Sequence, residues 1–444
     1  MNDQGHEHRI IKGDKRMING WIIYDWANSV FQLTILSAIF FNYYIEVTSR
    51  GTEYTVDFFG IPVDNTVLYS WTIATAYLLV ALFSPLLSSM ADYTGRRRAF
   101  MQVFTWLGAL SCGALYFFRG ENIEMGMIAF CLATIGYGGS LVFYNSFLPV
   151  IAVTEDQDRI SARGYSMGYL GGVILLVINL VMILFPTFFG ISDKDIAARI
   201  SFATVCLWWI GFAQITFMRL PKYAFGRGNE AVNIITNGYR ELRIVFNYVR
   251  KSKVLTIYLL GFFFMTMGVL TVMFMASGYG KKQVGLDDTF LIPVVLLLQF
   301  VGILGAWLFA RLSDRFGNFR SLILTLIIWI LICIGAYYIT NGTGFAIAAF
   351  FIGLVMGGSQ SLSRSTYSKL LPETTDHTSF FSFYDVMEKV ATVIGLFSFG
   401  LFNHITGSMR SAVPIIGVFF VISFIFFLFL VNKVLISGQK PPSL

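Results

Sequence analysis

Stretch after stretch of this chain stays apolar for the length of a bilayer crossing before a charged turn interrupts it. A hydrocarbon core about 30 Å thick is spanned by roughly 20 helical residues. Runs of that length lie near residues 20–47, 68–91, 99–118, 124–152, 161–188, 199–218, 254–278, 288–311, 320–340, 344–371, 378–404 and 411–432. Composition agrees: mean hydropathy is +0.69 and 13% of residues are charged, against roughly 25% in an ordinary soluble domain. The chain is expected to be an all-α integral membrane protein with 12 transmembrane helices. Its first apolar run is too long for a cleavable secretory signal and lacks a small-residue cleavage site, so it is expected to stay in the mature protein.

Basic residues set the orientation. With both termini and the even-to-odd connections on one side, about 24 of the 32 Lys and Arg residues fall there and about 7 fall opposite. Lys389 lies within a span. Both termini are therefore expected to be cytoplasmic, in a cytoplasmic (inner) membrane. The net charge of +7 is this bias and calls for no nucleic-acid partner.

Cys112, Cys131, Cys206 and Cys333 sit in separate apolar spans, where free cysteine behaves as a small hydrophobe. No disulfide and no metal site are expected. His6 and His8, in GHEHR, form the one close histidine pair, on a polar tail.

The chain repeats itself at half its length. SSMADYTGRRR follows the second span and ARLSDRFGNFR the eighth, so Asp92 and Gly95 recur as Asp314 and Gly317. Gly138-Gly139-Ser140 in the fourth span likewise recurs as Gly357-Gly358-Ser359 in the tenth, and Leu148-Pro149 as Leu371-Pro372. A six-helix unit duplicated in parallel is expected, giving two pseudo-symmetric six-helix bundles at 20–218 and 254–432. Around them lie a cytoplasmic N-terminal tail at 1–19, a linker at 219–253 and a C-terminal tail at 433–444. Within the linker, Val232, Ile235, Tyr239, Leu242, Phe246 and Val249 recur at helical spacing among basic residues, a pattern suited to anionic membrane lipid. The glycine pairs in the fourth and tenth spans, with Gly168, Gly171 and Gly172, suit close helix approach.

The duplicated turn resembles the signature loop of the major facilitator superfamily, G-x-L-A-D-R-x-G-R-K/R. Asp92, Gly95, Arg96 and Arg97 match it, while Ser88 and Tyr93 depart. The second copy keeps Asp314, Arg315 and Gly317 but has Ala310 and Asn318 at the flanking positions. These seven matching residues are expected to act as a latch, carboxylates and guanidinium groups pairing with helix ends of the facing bundle. YDWANS, YNSFLP, GGSQSLSRS and FYDVMEK together are similar to the vacuole-effluxer-like branch, whose eukaryotic members are associated with amino-acid export. That resemblance implies alternating access around a central cavity lined by the first, fourth, seventh and tenth helices.

Ionisable residues inside spans cost roughly 2.5–3.5 kcal/mol and mark function. Depth along the helices puts Asp25, Tyr144, Asn145, Arg364 and Asp385 at one level, with Glu388 and Lys389 deeper. Asp385, Glu388 and Lys389 share one helix face at i, i+3 and i+4. Asp25 is expected to pair across the bundles with Arg364 or Lys389. Tyr24, Asn28, Gln360 and Tyr384 complete the expected substrate-binding or coupling set, with Trp26 as a further aromatic candidate.

The expected activity is secondary transport of a small zwitterionic or anionic solute, an amino acid or peptide, coupled to protons or another ion. Export of an amphipathic drug or lysophospholipid is the alternative, as is a non-transporting receptor on a transporter fold. No Walker-type phosphate loop and no nucleophile–base constellation is present, so neither an enzyme nor a cofactor is expected. The predicted partners are the solute, a coupling ion and membrane lipid, with the protein a monomer.

Overall fold

The computed structural model describes residues 11–49, 55–222, 234–374 and 376–436. The His6–His8 pair, Arg227, Val232 and the 437–444 tail lie outside them, as do the side chains of Ile235, Tyr239 and Leu242. Twelve long helices dominate: α1 (Lys15–Thr48), α2 (Asn65–Thr94), α3 (Arg97–Phe117), α4 (Ile123–Ile151), α5 (Thr154–Leu184), α6 (Lys194–Arg219), α7 (Lys253–Val284), α8 (Asp288–Phe316), α9 (Asn318–Tyr338), α10 (Gly342–Leu370), α11 (His377–Thr406) and α12 (Met409–Ile436). Eleven are long and apolar enough to cross a bilayer by composition alone. The twelfth, α11, is 30 residues long but carries Asp385, Glu388 and Lys389 among its apolar residues. A separate linker helix, Ile234–Lys251, precedes α7.

Local chemistry fixes the ends. Asp14 caps α1 by accepting the Arg16 N–H at 2.7 Å, and Asp64 caps α2 through the N–H groups of Thr66 and Val67. Gly95 ends α2 at φ 67°, a left-handed conformation that favours glycine. Midway, α1 loosens over Phe31–Ala38 into wide turns: the Ile39 N–H reaches back five residues to the Thr34 carbonyl.

One element was not foreseen. Between α1 and α2, Thr55–Phe58 and Ile61–Asp64 pair as an antiparallel hairpin, Val56 opposite Val63. Its turn residues Phe59 and Gly60 both take positive φ, and the Asp57 carboxylate accepts the Gly60 N–H at 2.7 Å.

Two apolar cores form, one drawn mainly from α1–α6 and the other mainly from α7–α12. Trp21, Phe31 and Trp209 are fully buried in the first, Tyr258, Trp329 and Phe420 in the second. Leu78, Leu82, Leu110, Leu207, Leu331 and Phe397 are exposed on the outside, as side chains facing lipid must be. The halves meet where α2 runs along α11 and α5 runs along α8 and α10. Within a half the glycines permit backbone contact: a Cβ on Gly357 would strike the Gly302 carbonyl of α8.

Candidate functional site

Helical spacing on α1 puts Trp21, Asp25, Asn28 and Gln32 on one face, at steps of four, three and four. The Trp21 ring stacks on Tyr144 at 4.5 Å and donates its indole N–H to the Tyr144 carbonyl at 2.8 Å. That contact aims the Tyr144 hydroxyl, which donates to the Asp25 carboxylate at 2.7 Å. From the other half, Arg364 of α10 reaches the same carboxylate oxygen at 3.2 Å.

Arg364 is held on every side. It donates to the Ser161 hydroxyl at 3.0 Å and the Ser161 carbonyl at 2.9 Å, and approaches Asn145 Oδ1 at 3.5 Å. Its guanidinium lies over Tyr165 at 4.2 Å and Trp21 at 4.7 Å. Asp25 is 5% exposed and Arg364 2%. Gly164 of α5 makes room for the pair: a Cβ there would lie 2.5 Å from Asp25 Oδ2 and 2.8 Å from Arg364 Nη2. Of the two cations expected for Asp25, the geometry selects Arg364.

A second cluster lies on α11. Lys389 Nζ is 2.7 Å from Glu388 Oε1 and 3.1 Å from Asp385 Oδ1. Its stem rests against Gly138 of α4, and its ammonium lies 5.5 Å from the Tyr77 ring of α2. Asp385, placed by depth in the layer of Asp25 and Arg364, is instead bonded along its own helix to Lys389. Arg364 and Lys389 are thus both already engaged by protein carboxylates.

The two clusters line one cavity between the bundles. Its volume is about 140 Å³. Asn28, Asn145, Gln360, Tyr384, Asp385, Glu388 and Lys389 line it with Asp25 and Arg364. Tyr24 does not: its hydroxyl bonds Thr105 at 2.6 Å inside the first half. Trp26 packs against Trp208 at 5.2 Å, also away from the cavity. Sequence reasoning missed Gln32, Tyr77, Tyr165, Tyr169 and Gln299. Tyr169 donates to Gln360 at 2.7 Å, joining α5 to α10.

Below the Asp25–Arg364 pair, on the face where α1 begins, the halves are bolted together. Asp92 pairs with Arg97 at 2.8 Å and accepts the backbone N–H groups of Thr378 and Ser379, at 3.3 and 2.7 Å, from the first turn of α11. Ser89 and Ser146 add hydroxyl contacts to Ser379 and Thr378. The second copy of the turn works differently. Asp314 and Arg315 are exposed, Arg315 lying over its neighbour Phe316. The carboxylate at that seam is Asp158, in the first turn of α5, which accepts from Ser313 at 2.8 Å, Asn318 at 2.7 Å and Lys369 at 2.7 Å. Asn318 is the residue that departs from the signature pattern. Among the described residues, Asp314 and Arg315 make no ion pair across the seam, where Asp158, Ser313, Asn318 and Lys369 meet instead. The cause is Asp158 itself: a carboxylate at the end of α5 leaves no place for a second one from α8.

Two six-helix halves packed around a polar cavity make this a membrane transporter of the major facilitator type. Solved structures share the fold: FucP in the outward conformation (TM-score 0.70, 13% identity, 94% of this chain and 97% of that one) and the human organic anion transporter MFSD10 (TM-score 0.70, 12% identity, 94% and 100%). Residues 13–434 match the family described as vacuole effluxer Atg22 like, and the chain belongs to it. It is 28% identical to the MFS-type transporter YxiO of Bacillus subtilis strain 168, over 93% of this chain and 94% of that one. It is also 24% identical to autophagy-related protein 22 of Kluyveromyces lactis, over 82% and 79%.

Proposed function

We propose that this transporter moves a small zwitterionic or anionic solute, an amino acid or short peptide, by alternating access coupled to protons. The observation that carries this reading is the Asp25–Arg364 ion pair, which joins the two halves at the closed end of a polar cavity. With the termini cytoplasmic in an inner membrane, the closed face is the cytoplasmic one and the cavity faces outward. The solute carboxylate reaches Lys389 by displacing Glu388, the most accessible member of the α11 cluster at 28% side-chain exposure. The solute ammonium is then met by the freed carboxylate and by Asn28 and Gln360. Asp92 and Asp158 are the latches that release when the closed face opens.

A second reading has its own support. Phe262, Met265, Val269 and Met273 of α7 give the cavity an apolar wall, and flexible methionines suit an amphipathic drug or lysophospholipid. Thermal-shift screening of the purified chain against amino acids, dipeptides, organic anions and lysophospholipids separates the two, since a ligand of the folded state raises its melting temperature. Uptake or counterflow in proteoliposomes then tests carriage: saturable flux of an amino acid or dipeptide supports transport, and no saturable flux for any solute leaves a receptor.

A further inference from the structure

Three carboxylates line the cavity, and their surroundings differ. Asp25 Oδ2 is engaged twice, by Arg364 and by the Tyr144 hydroxyl. Glu388 is partly exposed to the cavity and takes the shorter contact to Lys389. Asp385 is 3% exposed, shares that one ammonium at 3.1 Å through Oδ1, and leaves Oδ2 buried with no donor among the described residues.

The elements packed against α11 bring no charge to relieve it. From α2 comes Tyr77, from α4 Tyr137, and across the cavity from α5 Tyr165, all neutral phenols lining the cavity. From α7, Tyr258 donates to the Ser363 carbonyl, and from α10, Tyr367 donates to the Phe380 carbonyl. Arg364 is committed to Asp25 and Ser161. The membrane segment of α12 facing α11 carries no ionisable side chain, and among the described residues the linker helix meets the first turns of α11 through Tyr248 on Phe380 and Phe246 on Phe383. With both carboxylates ionised the cluster carries one negative charge in excess, in a place that desolvates it. One proton makes it neutral.

We propose that Asp385 holds an exchangeable proton in the state closed at the α1-start face, and that this is the proton coupled to solute movement. The coupling role rests on the transport reading above. Asp385 Oδ2 gains a proton from hydronium in the cavity water, forming an O–H bond, and returns it to water when the seam opens. Lys389 transmits the change. Its stem lies on Gly138 and its ammonium near Tyr77, both from the first half, so a shift of Lys389 between Asp385 and Glu388 is felt across the seam.

The test reads the proton directly. Infrared pH-difference spectra of the full chain in liposomes are expected to contain a protonated-carboxyl C=O band that Asp385→Asn removes and Asp385→Glu keeps at a shifted frequency, while Glu388→Gln, which takes away the excess negative charge beside Lys389, moves its titration to lower pH. Melting curves of each variant check that it is folded. A band that survives in folded Asp385→Asn, or a wild-type chain without any such band, overturns the proposal. Solute flux is measured separately in proteoliposomes. Intact flux without the band removes the proton site and keeps the transporter; a band on Asp385 without saturable flux removes the coupling role and the transport reading together.

Discussion

The backbone N–H of Ser379 donates to the Asp92 carboxylate at 2.7 Å across the seam between the two halves. A side chain at the end of α2 thereby caps the first turn of α11, supplying from one bundle the acceptor that the helix start of the other requires.

Replacing Asp92 with Asn keeps the shape and removes the charge from two such bonds. Charge-assisted bonds are worth about 1.5–3 kcal/mol, so Asp92→Asn is expected to raise the open-face population about tenfold or more. Maleimide labelling of a cysteine placed at Ser146, which is buried at this seam, in a cysteine-free background is the measurement. Unchanged labelling would exclude Asp92 from the latch.

Asp158 and Asp314 are expected to behave oppositely, although only Asp314 repeats the motif of the first half. Asp158→Ala strands Lys369 and Asn318 at a buried seam and costs about 3–5 kcal/mol, read as a clear fall in melting temperature. Asp314→Ala changes an exposed residue and is expected to stay within about 0.5 kcal/mol of the parent.

For the central pair, a double-mutant cycle is the discriminating measurement. Asp25→Asn alone and Arg364→Gln alone each leave a buried charge without its partner, at about 3–5 kcal/mol. Asp25→Asn with Arg364→Gln is expected to melt above either single variant. Additive losses would mean that the two side chains are not coupled.

Gly164→Ala tests the same pair without touching a charge. Its Cβ would fall 2.5 Å from Asp25 Oδ2, so the ion pair must part, with an expected loss of about 1–3 kcal/mol. Gly211→Ala is the matched control: nothing lies within 4 Å of that Cβ, and alanine is the better helix former by about 1 kcal/mol.

Much of this organisation was legible in the residues, because ionisable groups inside apolar runs are rare enough to stand out. Asp25, Arg364 and the Asp385–Glu388–Lys389 face announced themselves that way. Which cation meets Asp25 was not settled there, although depth placed Arg364 at its level and Lys389 deeper, because depth does not say which way a helix faces. Tyr165 and Tyr169 carry no signal in a chain that is 17% aromatic; only the fold distinguishes a cavity wall from a lipid anchor. Asp158, beside Asp156 and Arg159 at a helix start, has nothing in the sequence that sets it apart from flanking charge. The hairpin was missed because Phe59-Gly60 departs from the Asn-Gly and Asp-Gly pairs that mark such turns; the Asp57 and Glu124 carboxylates hold it by accepting the Gly60 and Phe59 N–H groups.

The wide turns of α1 at Phe31–Ala38 set which way its outer end faces. One residue more or fewer there would rotate everything beyond Ile39 by about 100° relative to Asp25 and pull Tyr43 and Tyr44 off the Phe118 and Asn65 carbonyls they bond. The loosened stretch thus works as a fixed dial, holding the outer aromatic packing and the inner grip on Arg364 in register.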